Sequence, residues 1–118
     1  MELAVIIREA LKTQSIRGCA CGMDADQIRA VLGEPTASGR QGKLLVRSYG
    51  DGLQDYFRAG KVEAVHWDFH EPLERSRLAL EDLSPTERVL VGGGRELRIG
   101  RVTLEIPGEH HVVAIHLS

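Results

Sequence analysis

A β-hairpin pattern that occurs twice, fifty positions apart, constrains this chain more than any other feature. Laying Tyr49–Trp67 over Ile99–Leu117 without a gap brings Gly50 onto Gly100, Val62 onto Val112, Ala64 onto Ala114 and His66 onto His116. It also matches Tyr49, Tyr56, Val65 and Trp67 with Ile99, Ile106, Ile115 and Leu117. Residue usage alone, at roughly 5–8% for a common type, produces about one identity in a segment of this length. Two readings stay open: an internal duplication with halves 1–70 and 71–118, or two hairpins alike because polar turns and alternating strands have similar compositions. The middle strands disagree in phase, since Leu53 and Phe57 are odd-numbered whereas Val102, Leu104 and Ile106 are even. Side chains alternate faces with period two, so a duplication needs a bulge to absorb the slip.

A chain of 118 residues can close one core without disulfides or metals, which gives a single domain, 1–118. Hydrophobic residues make up 42% and charged residues 27%, the balance of a soluble globular protein. The net charge of −2 is spread along the chain, so no basic stripe points to nucleic acid. Met1–Glu9 lacks the basic start and continuous apolar run of a signal peptide, and no stretch approaches the roughly 18 apolar residues of a membrane span. Only Cys19 and Cys21 are present, which suits a reducing compartment. A cytoplasmic protein without membrane contact is expected.

Leu3, Ile6, Ile7, Ala10 and Leu11 share one helical face, so Glu2–Lys12 reads as an amphipathic helix covering a sheet. Asp24 followed by Gln27 is a capping box, and Gly33 and Pro35 close a second helix over Asp24–Leu32. Thr36–Lys43 is small and polar, a mobile loop. Leu44–Tyr49, Leu53–Phe57 and Val62–Phe69 read as a three-stranded meander with Trp67, Phe69 and Val65 on its core face. Glu71–Leu83 allows either a helix or a short strand around Leu78–Leu80. Ser84-Pro85-Thr86-Glu87 reads as another helix cap, giving a short helix that ends at Gly92. Arg95–Ile99, Arg101–Ile106 and His111–Leu117 complete the strands. The expected fold is α+β, with two N-terminal helices packed on an antiparallel β-meander sheet and a shorter helix-plus-hairpin second half.

On the strand from Val62 to His70, the face opposite Trp67 carries Val62, Ala64, His66, Asp68 and His70, and the matching face of the last strand carries His110, Val112, Ala114 and His116. Imidazoles flanking small alanines suit a binding surface, because histidine joins a flat apolar body to an edge that changes charge near neutral pH. An ordinary solvated face has the same composition. A metal site is a further option: residues two apart, such as His66 and Asp68, lie about 6.6 Å apart along a strand, whereas His66 and His70 are about 13 Å apart, too far to share a zinc ion. Cys19-Ala20-Cys21 supplies two thiols at a spacing unlike common zinc motifs, so free thiols are expected there. Gly92-Gly93-Gly94-Arg95 lacks the ending of a phosphate loop. No local nucleophile signature appears, so the protein is read as a non-enzyme.

Gly22-Met23-Asp24, Gln27-Ile28, Val31-Leu32-Gly33-Glu34-Pro35, Tyr49-Gly50, Phe57 and Gly60-Lys61-Val62 together resemble the β-lactamase inhibitor proteins and the small outer-membrane assembly lipoproteins. A large set of actinobacterial proteins shows the same helix-plus-meander half. The resemblance covers Gly22 to about Phe69 and implies a helix pair on an antiparallel sheet. In the inhibitors it implies two such halves forming one concave sheet that grips a protein. The chain departs from both groups in lacking a lipidation cysteine behind a signal sequence. The resulting expectation is a cytoplasmic inhibitor or immunity-type protein that occludes another protein, such as a toxin or enzyme, through Tyr49, Tyr56, His66, Asp68, His70 and His116. No cofactor is expected on that reading. The alternative is a metal- or small-ligand-binding protein using the histidine-rich face.

Overall fold

The computed structural model describes residues 2–118 and begins with the amphipathic helix, α1, over Leu3–Thr13, which buries Ala4, Ile7, Ala10 and Leu11. Gln14 ends it in the left-handed conformation, and its side chain then ties the helix to a distant turn. The amide nitrogen donates to Leu11 O and Ile99 O, while its oxygen accepts from Arg101 N at 2.6 Å. Helix α2 spans Ala25–Leu32, with both halves of the capping box formed: Gln27 N donates to Asp24 Oδ1 and Asp24 N donates to Gln27 Oε1, each at 2.9 Å. Only Ile28 of this helix is fully buried.

Eight strands follow: β1 (Ala37–Gln41), β2 (Leu44–Ser48), β3 (Leu53–Arg58), β4 (Lys61–Glu74), β5 (Thr86–Val89), β6 (Arg95–Ile99), β7 (Val102–Ile106) and β8 (His111–Leu117). They form one antiparallel sheet in the order β1-β2-β3-β4-β8-β7-β6-β5. Two meanders therefore meet along β4 and β8. At that seam His66 lies opposite His116, with Val65 opposite Leu117 and Trp67 opposite Ile115. The ungapped overlay exchanges these two flanking pairs, so a local two-fold axis runs through the histidines.

The phase conflict in the sequence has a structural origin. Leu53 pairs with Trp67 and Val102 with Leu117, so β3 and β7 correspond one residue short of fifty: Leu53 with Val102, Asp55 with Leu104, Phe57 with Ile106. Turn lengths take up the difference, Tyr49–Gly52 against Gly100–Arg101 before the strand and Ala59–Gly60 against Pro107–His110 after it, together with a bulge at Tyr56/Phe57.

One face of the sheet carries the core. Leu53, Val65, Leu97, Leu104, Ile115 and Leu117 are sealed beneath Ile7, Ile16 and Ile28, each such side chain contributing about 1.5–3 kcal/mol relative to exposure. Trp67 joins them: its Nε1 donates to Asp51 O at 3.2 Å, Phe69 meets it edge-on at 5.2 Å and the Arg17 guanidinium lies 5.3 Å from its ring centre.

Four sequence expectations are corrected. Thr36–Lys43 is not a mobile loop, because Ala37–Gln41 pairs along β2 as an edge strand; its side chains are all exposed, so it carries no apolar alternation to read. The Ser84–Glu87 cap does not start a helix: Ser84 adopts φ 48, ψ 57 instead of the extended cap conformation, and Thr86–Val89 pairs with β6. Glu71–Leu83 holds the end of β4 and two 3₁₀ turns, Arg75–Leu78 and Leu80–Leu83, which α1 holds through Arg8 donating to Leu78 O and Ala79 O. Finally, Val62 and Val112 are buried and not displayed on the histidine face, while Ala114 keeps its place on that face but is covered by its neighbours. Val62 turns inward at the β3–β4 bulge to pair with Phe57, and Val112 pairs with buried Leu73 beyond the register shift in β4.

Candidate functional site on the open sheet face

The face away from α1 is organised by the seam. Because β4, β8 and β7 are consecutive in the sheet, their outward residues fall into two rows: Gln54, His66, His116, Thr103, and then Asp68, Ala114, Glu105. Ala114 is the small residue in the second row, which leaves the side chains of Asp68 and Glu105 free to converge above it. One donor atom each from His66, Asp68 and Glu105 lies within 4.8 Å of the others.

The imidazoles form a chain with the carboxylate. His66 Nε2 is 2.9 Å from Asp68 Oδ1, and His66 Nδ1 is 3.2 Å from His116 Nδ1. Neutral rings satisfy this arrangement in one way: His66 donates from Nε2 to Asp68, and His116 donates from Nδ1 to the bare Nδ1 of His66. Burial lowers the His116 pKa, the neighbouring His66 lowers it further, and Glu105 opposes both. The neutral form of His116 is therefore favoured, which suits its place in this hydrogen-bonded chain.

Of the residues singled out in the sequence, Tyr56, His66, Asp68 and His116 share this face. Tyr49 does not. Its hydroxyl donates to Asp55 Oδ2 at 2.7 Å on the helix side, where Asp55 is fully buried. His70 is exposed within the irregular stretch of β4 between Asp68 and Leu73. Glu105 was missed, although the β7–β8 hairpin already sets it opposite Ala114; the signal emerges only once β8 is known to lie beside β4. The thiols are free: burial, then the Asp55 charge, push Cys19 up to about 12, and Cys21 Sγ donates to Glu63 O at 3.3 Å.

Next to this cluster, the outer face of the first meander has a groove of about 340 Å³ lined by Ala37, Gly39, Val46, Ser48, Gln54 and Tyr56, with Arg40 the one charged residue in its wall. Tyr56 donates to Gln54 Oε1 at 2.9 Å, and Gln54 Nε2 donates to Ser48 Oγ at 3.3 Å, so the aromatic ring is held in place by its neighbours. Among the described residues no helix is long and apolar enough to cross a membrane. Comparison with protein-family models, with curated proteins and with solved structures finds no match to this chain.

Proposed function

We propose that this is a non-enzymatic protein-binding module of inhibitor or immunity type, which occludes another protein with the open face of its sheet. The observation that carries the reading is the nearly uncharged groove around Tyr56. Interface centres are depleted in charge and enriched in tyrosine, and a ring already ordered by Gln54 and Ser48 costs little further entropy on binding. The likeness of Gly22–Phe69 to the β-lactamase inhibitor proteins supports the same mode, and the two free thiols suit a cytoplasmic setting. The partner is a protein that presents an uncharged, protruding segment to the groove, with His66, His116 and Asp68 at its border.

Immobilised protein is expected to retain one stoichiometric partner from native lysate at near-physiological salt. Tyr56→Ala and Val46→Lys should each weaken capture about 30-fold or more, the scale of a central anchor, while Arg88→Ala on β5 leaves it unchanged. Recovery of no stoichiometric partner, or equal capture by all three variants, overturns the reading.

A second reading has its own observation, the convergence of His66, Asp68 and Glu105. One imidazole nitrogen and two carboxylates suit a divalent ion of the zinc or manganese kind. With an ion on Nε2, His66 would donate from Nδ1 to His116, the outer hydrogen bond that orients ligating histidines. Elemental analysis of untagged protein should then find about one such ion per chain, with Glu105→Gln weakening zinc binding about tenfold or more. Substoichiometric zinc, manganese, nickel, copper and iron exclude it.

A further inference from the structure

On the opposite side of the first meander, beside the start of α2, lies a recess of about 240 Å³ whose walls combine apolar surface with positive charge. Leu45, Phe57 and Ala25 supply the apolar part; Arg40, Lys43 and Arg47 supply the charge, and no carboxylate lines it. Register explains the gathering. Arg47 sits on the same side of β2 as Leu45, Arg40 lies opposite Leu45 on β1, and Lys43 belongs to the turn between those strands. None of the three forms an ion pair among the described residues, although seven other arginines do. The nearest strand partner of Arg47 is Asp55, but that carboxylate is buried and engaged by Tyr49.

We propose that this recess binds a small phosphomonoester carrying a flat apolar group. Three cations in one recess, of which only Arg47 faces a carboxylate, the buried Asp55 beneath the wall, favour a dianion over a monoanion, and arginine's planar fork matches phosphate oxygens two at a time. The Arg47 guanidinium stacks 5.1 Å from the ring centre of the buried Phe57, which holds the fork in place before any ligand arrives, and half-buried Leu45 and Ala25 present the apolar wall for the ester group. The volume lies below the roughly 300–1,000 Å³ of drug-sized sites, so the ligand is small. The helix start contributes wall only: its Gln27 amide is already taken by Asp24. The site opens on the side of the sheet opposite Tyr56, shares only Arg40 of the edge strand with that groove, and does not depend on the partner-binding reading.

The test is a titration of the intact protein with phenyl phosphate, inorganic phosphate and benzyl alcohol, followed by amide chemical shifts at about 50 mM salt, where surface charges are weakly screened. Phenyl phosphate should move the amides of Lys43, Phe57 and Gly60, inorganic phosphate should bind about fivefold or more weakly, and benzyl alcohol should not bind up to about 10 mM. The exposed pair Arg40→Glu and Lys43→Glu should lower phenyl phosphate affinity about tenfold or more with the melting temperature unchanged. Equal binding of the two phosphates, binding by benzyl alcohol, undiminished binding by the double variant, or no shift at these amides overturns the proposal.

Discussion

Leu104→Asp is expected to cost about 4 kcal/mol or more, enough to leave much of the population unfolded in mild urea. The site looks permissive at first, because its counterpart in the first meander, Asp55, is already an aspartate. What differs is the company. Asp55 accepts a hydrogen bond from Tyr49 at 2.7 Å and lies opposite Arg47, whose charge opposes the rise in its pKa caused by burial. The residues at those two places in the second meander are Ile99 and Leu97, and Leu104 itself is 0% exposed between Leu97 and Ile115. A carboxylate there would be desolvated with nothing to donate to it, and such groups cost several kcal/mol. A urea titration followed by tryptophan fluorescence reads the loss; a midpoint within error of the parent protein would show that the second half tolerates what the first was built to hold.

Gly52→Ala should be the other severe substitution, lowering stability by about 2–4 kcal/mol. Gly52 sits at φ +85 just before β3, and an added Cβ would stand 2.4 Å from Asp68 O, a backbone atom that cannot swing aside. The same contact fixes the adjacent strand, since Asp68 N donates to Gly52 O at 3.0 Å. Gly92→Ala is the internal control: it has φ +98 but open space around it, so it pays the conformational strain alone, about 1 kcal/mol. Melting temperatures of the two variants separate steric clash from backbone strain. Equal shifts would remove the close approach as the cause.

The legible parts of this fold are those in which one element's own pattern decides its state. The apolar stripe of α1, the Asp24–Gln27 box and the alternation of Leu53 with Phe57 each specify local structure, and the helices and central strands formed where these signals lie. Both edge strands were misread for a shared reason. β1 and β5 are held by backbone pairing on one side only, and their exposed side chains record no burial period. The candidate site was half visible. His66, Asp68 and His116 are evident as an alternating face, but Glu105 enters through strand order, and Tyr49 was placed on the wrong side because the phase of β2 depends on its pairing with β3. The buried Asp55 could not be read at all from a single chain, since an aspartate within a strand ordinarily marks the solvent side.

The seam also dictates how the molecule is put together in time. Every other strand pairing joins neighbours along the chain through a short connection, whereas β4 and β8 are brought together only after an intervening length of chain has closed on itself, from Glu74 with His111 at one end to Val65 with Leu117 at the other. Closing that loop costs chain entropy before the docking of the meanders repays it. The hairpins are thus expected to form early and the zippering of β4 with β8 through the histidine pair to be the slow step, which refolding kinetics slowed by substitutions along this seam would show.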